Sequence, residues 1–160
     1  MLRIFLSKSA VLLLGLVLML AAGMAVAQDN ATDKQAIADT LAKYNKALNG
    51  SSTAEVLPLY TGDGVFMPPY SQSAVGKAAV KASYDKVFKT ITLHVKFTID
   101  EIVQMAPDWA FVRTNSAGTN KFNATGKVTA EGNQELFVFK KDTDGIWKIA
   151  RYSFSPTNKD

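Results

Sequence analysis

The chain has 160 residues, with 18 Lys and Arg against 14 Asp and Glu, a single His and no Cys. Without Cys there is no disulfide, no thiolate nucleophile and no Cys-based zinc site, and one His does not make a multi-ligand metal centre, so no metal and no cofactor is expected. The formal charge of +4 is spread without a long basic run. The chain therefore lacks the electrostatic footprint of a nucleic-acid binder.

Residues 1–27 read as a secretory signal. Arg3 and Lys8 supply a basic start, Val11 to Leu20 an apolar run, and Ala25-Val26-Ala27 a small-x-small cleavage pattern. The cut is expected before Gln28. The apolar run is short for a membrane span of about 20 residues, and Gln28 is not a Cys that could take a lipid. An exported protein, periplasmic or secreted, with no stable membrane anchor after cleavage is expected. Losing Arg3 and Lys8 lowers the net charge from +4 to +2. Residues 28–160 are long enough for one domain with a real core, placed at about residues 33–155.

Gln28 to Thr32 reads as a polar leader. Ile37, Leu41, Tyr44 and Leu48 then form one apolar stripe, predicting a helix over about Asp33 to Leu48, capped by Thr32 or Asp33 and ended by Asn49-Gly50. A second, short helix is predicted from Ser51–Thr53 to about Tyr60. Thr61-Gly62-Asp63-Gly64 reads as a turn, and Val65-Phe66-Met67 as a brief strand stopped by Pro68-Pro69. Tyr70 to Val75 is expected as a loop. A third helix over about Gly76 to Lys89 shows Val80, Tyr84, Val87 and Phe88 on one face.

Sheet follows. Leu93, Val95, Phe97 and Ile99 alternate with His94, Lys96 and Thr98, and a parity change near Asp100-Glu101-Ile102 predicts a bulge before Met105. Ala106-Pro107-Asp108 turns the chain into a strand from Trp109 to about Ser116. Residues 118–132 are polar and read as strand ends around a turn at Asn123 to Gly126. Asn133 to Ser155 closes the chain as a hairpin around Asp144-Gly145, because Gly accepts the positive φ that such turns need. Ile146, Ala150, Tyr152 and Phe154 share one parity, and Trp147 and Ile149 the other. Both faces of this hairpin are therefore expected to be covered, one by helices and one by a partner. The order is α+β: three helices, then a mainly antiparallel sheet.

Several strings in this order resemble the nuclear transport factor 2-like superfamily, in its SnoaL-like branch, and small exported members in particular. They are Tyr44 to Asn49, Leu59 to Phe66, Val75-Gly76-Lys77, Asp108 to Val112, and Asp144 to Arg151. The resemblance implies a cone: three N-terminal helices packed on a strongly curved antiparallel sheet around a pocket, often in homodimers through the outer sheet face. The same cone serves isomerases, cyclases, dehydratases and plain binding modules, so it does not settle function.

Isomerases on this cone use a helix-one Tyr and a protonated carboxylic acid as oxyanion donors, with an Asp base just after the first strand. Tyr44 matches the first, or is a core aromatic whose hydroxyl finds one partner; Glu135 falls near the second, or is a solvated charge at a strand end. Met67-Pro68-Pro69 stands where the base would be and carries no carboxylate. His94, the one His, would serve as a general base if its face were inward, and is otherwise solvated. Arg113 and Asn115 could hold an anionic group, or pack on the surface. Tyr60, Phe66, Met67, Tyr70 and Tyr84 read either as pocket wall or as core. The pocket is therefore expected among Tyr44, Tyr60, Phe66, Met67, Tyr70, Tyr84, Arg113, Asn115 and Glu135, with Tyr44, Glu135 and His94 as catalytic candidates. Two readings stay open: a protein that binds a small apolar or amphipathic molecule, and a cyclase, isomerase or hydratase acting on a small hydrophobic, polyketide-like or steroid-like substrate.

Overall fold

The computed structural model describes residues 30–158. The signal segment expected in residues 1–27, and the cut before Gln28, lie outside the described residues. The chain divides into two compact units, residues 1–33 and 34–160. Of the first, residues 30–33 are described, and they are already helical; the polar leader predicted through Thr32 ends earlier than expected.

In the second unit, helix α1 covers residues 34–49. Its stripe Ile37, Leu41, Tyr44, Ala47 and Leu48 is buried, as the spacing of its apolar positions dictates. Helix α2 (Thr53–Val56) follows, with the Ser52 hydroxyl accepting the Glu55 N–H at 3.2 Å as an N-cap. A 3-10 turn (Leu57–Leu59) leads into strand β1 (Tyr60–Met67) and the two-residue strand β2 (Ala74–Val75). Helix α3 (Gly76–Thr90) buries Val80 and Tyr84. Its last carbonyls, Phe88 and Lys89, accept from the Asn123 side chain at 3.0 and 3.2 Å. The remaining strands are β3 (Ile91–Ala106), β4 (Trp109–Phe122), β5 (Val128–Lys141) and β6 (Trp147–Pro156).

These strands form one six-stranded sheet in the order β2-β1-β6-β5-β4-β3. The four long strands β3 to β6 pair antiparallel, as predicted, and the sheet as a whole is mixed because β1 lies parallel to β6. Three helices on a mixed sheet make the α+β class. Thr61 to Gly64, expected as a turn, lies inside β1 as an irregularity between Tyr60 and Val65. The strand predicted to stop at Ser116 runs on to Phe122, because the polar residues beyond it keep pairing with β5. The bulge predicted near Asp100 is present between Ile99 and Glu101.

The closing hairpin carries a bulge. Phe139 pairs with Ile149 and Val138 with Arg151, so the register slips at Ala150. A bulge of this kind exchanges the two faces of a strand. Trp147 and Ile149 point inward before it, and Tyr152 points inward after it; all are buried. The apolar character of both parities thus comes from one face being read through a bulge. It gives no reason to cover a second face.

The core lies between α1, α3 and the inward sheet face. Phe137 stacks on Tyr152 with centroids 4.1 Å apart, and Tyr44 meets Phe137 and Tyr152 edge-on at 5.7 and 5.6 Å. Such offset and edge contacts are the favoured arrangements of aromatic quadrupoles. Thr40 ties α1 to the sheet through the Trp147 carbonyl at 3.2 Å.

Candidate functional site

Four buried tyrosines from four elements converge: Tyr44 from α1, Tyr60 from β1, Tyr84 from α3 and Tyr152 from β6. The hydroxyl oxygens of Tyr44 and Tyr84 are 2.6 Å apart, and those of Tyr60 and Tyr84 are 2.8 Å apart. The Tyr152 hydroxyl also acts on that of Tyr44. Each phenol carries one hydrogen to donate. Burial, above all, pushes all four phenols above the usual tyrosine range, and they stay protonated at neutral pH.

Tyr44, Tyr84 and Tyr152 line a cavity of about 130 Å³. Leu48, Phe66, Val87, Ile91, Leu93, Val95, Phe97 and Phe154 give it apolar walls. For scale, a cavity of about 150 Å³ takes one benzene. Ser116 from β4 and Glu131, Asn133 and Glu135 from β5 make a second polar end. No Lys, Arg or His stands among the lining residues.

Glu135 is only 4% exposed. The Thr114 hydroxyl donates to its Oε2, while Oε1 has no partner. Burial raises its pKa first. The Ser116 and Thr114 hydroxyls act in the opposite sense, and the nearby Asp100 and Glu131 charges raise it further; the net shift is upward. Asn133 donates from Nδ2 to Glu131 Oε1 at 2.8 Å and to Ser116 Oγ at 3.4 Å. Asn120 donates to the other Glu131 oxygen. A buried acceptor left alone costs about 1–3 kcal/mol. Among the described residues, no group of three or more His, Cys, Asp or Glu could hold a metal ion.

Of the residues singled out in the sequence, Tyr44, Phe66, Tyr84 and Glu135 come together around the cavity. Tyr60 does not line it and reaches it through Tyr84. Met67 is half-buried beside Pro68, which does line the cavity. Tyr70 is 99% exposed in the loop after β1. His94 does not line the cavity, while Arg113 and Asn115 line a neighbouring cavity of about 310 Å³ together with Asp100, Glu135 and Phe154. His94 alternates with the inward Leu93 and Val95, and Arg113 and Asn115 with the inward Val112, Thr114 and Ser116, so all three are exposed. Arg113 pairs with Glu101, and Asn115 donates to Asp100 at 2.7 Å. Glu131, Asn133, Ser116 and Tyr152 were missed. Their signal was parity: Glu131, Asn133 and Glu135 continue the inward face of Phe137 and Phe139.

Residues 29–153 match the SnoaL-like domain. The chain belongs to the SnoaL-like domain family. The structure of a ketosteroid isomerase-like protein from Erwinia carotovora atroseptica is similar to this SnoaL-like chain, with 38% identity over 78% of this chain and 96% of that one, at a TM-score of 0.75. A nuclear transport factor 2-like superfamily protein from Salmonella enterica serovar Typhimurium shares the fold, with 18% identity, 81% and 94% coverage, and a TM-score of 0.72. So does a type 2 hexachlorocyclohexane dehydrochlorinase (LinA), at 11% identity, 83% and 94% coverage, and a TM-score of 0.70. None of the curated proteins matches the sequence.

Proposed function

We propose that this SnoaL-like chain is an exported pocket protein that binds one small amphipathic molecule with a ring-sized apolar body. The observation that carries the reading is the cavity itself: apolar walls with buried polar groups at two places, the tyrosine chain around Tyr44 and the Glu135 end of β5. Apolar enclosure supplies affinity and a few placed polar groups fix orientation. Native mass spectrometry of the protein purified gently from its own host tests this. Extra small-molecule mass that survives desolvation is expected, and is lost in Leu93→Trp, which fills the cavity. A wild-type chain that retains nothing and takes up none of a panel of small aromatic and alicyclic compounds would sink the reading.

The same spectrum tests export, since cleavage before Gln28 gives a mass starting at that residue. It also tests a homodimer through the outer face of a curved, cone-like sheet. Val103, Phe111 and Val138 lie side by side across β3, β4 and β5, and the alternation that buries Val112 places Phe111 on that outer face. Monomer mass alone would remove that part.

A second reading, an enzyme moving a proton on its ligand, is favoured by Glu135. A carboxyl held above the ordinary range is a usable acid or base, and Tyr44, on the wall of the same cavity, could hold a developing oxyanion. Similarity to a ketosteroid isomerase-like protein supports this reading. Under it, the protein accelerates deuterium exchange into cyclohexanone in heavy water, and Glu135→Gln abolishes the acceleration. Exchange at the buffer rate would count against it.

A further inference from the structure

Glu131, Asn133 and Glu135 project from one face of β5 into one end of the cavity, with Ser116 beside them. Two oxygens there have no hydrogen-bond partner, Glu135 Oε1 and Asn133 Oδ1. Their residues are 4% and 7% exposed, so water does not serve them freely. Both oxygens are acceptors; the Ser116 hydroxyl acts on the Glu135 carboxyl, and no charged donor meets either oxygen. Glu131 is held by the amides of Asn120 and Asn133, which give it N–H groups and no positive charge. This end of the cavity therefore holds two acids, and no basic side chain lines the walls.

The remaining wall points the same way. Tyr44, Phe97, Tyr152 and Phe154 present aromatic groups to the cavity. The faces of such rings are electron-rich and attract a cation. A carboxylate or phosphate ligand would meet two acids and no cation. A neutral hydroxyl has one hydrogen to donate. It would satisfy one of the two lone oxygens and leave the negative field uncompensated. An ammonium group brings three donors and a positive charge.

We propose that the cavity takes a small protonated amine with a ring-sized apolar body, its ammonium seated between Glu135 Oε1 and Asn133 Oδ1. This deepens, and rests on, the reading of the cavity as a ligand site. Glu135 receives the ammonium as a carboxylate, and the cation relieves the repulsion from Glu131 and Asp100 that otherwise opposes its ionisation.

Isothermal titration of the purified protein with benzylamine, benzyl alcohol and toluene at neutral pH tests the proposal. These share a ring and differ in the head group: a cation, a neutral donor, and none. Benzylamine is expected to bind at least about tenfold more tightly than benzyl alcohol. Glu135→Gln and Glu131→Gln, each shown to be folded by its thermal melt, are expected to lose that preference and keep toluene binding. Benzyl alcohol or toluene binding as well as benzylamine would overturn the amine and leave the pocket reading standing. Failure of all three to bind would remove both. If either Gln variant fails to fold, the wild-type ranking of the three compounds still decides.

Discussion

The hydroxyl oxygens of Tyr44 and Tyr84 stand 2.6 Å apart inside the protein, and Tyr84 is joined in turn by Tyr60 at 2.8 Å. Tyr84 is therefore the middle of the chain. Tyr84→Phe removes both of these contacts, whereas Tyr60→Phe removes one of them. We expect Tyr84→Phe to cost about 2 kcal/mol, and Tyr60→Phe about half of that. Urea denaturation of the two variants measures the difference. Equal costs would mean that the middle position confers nothing.

Glu135 gives a pH signature of defined sign. Its pKa is raised in the folded protein, chiefly by burial. The folded state thus keeps a proton that the unfolded state has released. Stability from this group is full below the ordinary Glu range and falls as pH climbs through the raised value. Glu135→Gln removes that dependence. The variant should gain on the wild type as pH rises from about 4 to about 8, measured by denaturation at several pH values. A constant difference across that interval would show that Glu135 titrates normally.

Asn49 serves both backbone groups of Val95, accepting from its N–H and donating to its carbonyl, each at 2.8 Å. Asn45 adds a bond to the same carbonyl at 2.8 Å. Asn49→Ala should cost about 1–3 kcal/mol. It should also open the Val95 amide to solvent, so that its hydrogen exchange accelerates well beyond that of Val112 in the sheet interior.

Gly118 is fixed by crowding. A Cβ there would lie 2.0 Å from the His94 carbonyl oxygen across the β3–β4 pair. Gly118→Ala must push the two strands apart, at about 1–3 kcal/mol by analogy with other overpacked sites. A thermal melt unchanged from the wild type would show that the strands yield freely.

Local periodicity made much of this fold legible. The stripe Ile37, Leu41, Tyr44 and Leu48, the alternation of Leu93, Val95 and Phe97, and the Asp144-Gly145 turn each specify an element within a few residues. What was not legible depended on long-range register. The partnership of β1 with β6 joins Phe66 to Tyr152, far apart in sequence, and no local pattern announces it. The bulge at Ala150 looked like two covered faces, because a single-residue slip cannot be told from double burial without the partner strand. Tyr44 and Glu135 were found as site candidates. Arg113 and Asn115 share a neighbouring cavity with Glu135 and not the one lined by Tyr44, since the inward parity of β4 is set by its neighbours and not by its own residues.

The side chains of Asn45 and Asn49 occupy backbone groups at the middle of β3, which is one border of the sheet. The opposite border is β2, only two residues long. The first border is occupied at Val95, and the second is too short to offer another chain a long row of peptide groups. Strand-by-strand polymerisation, the route to fibrils and to domain-swapped sheets, is thus obstructed at both ends by two amide side chains and a truncated strand.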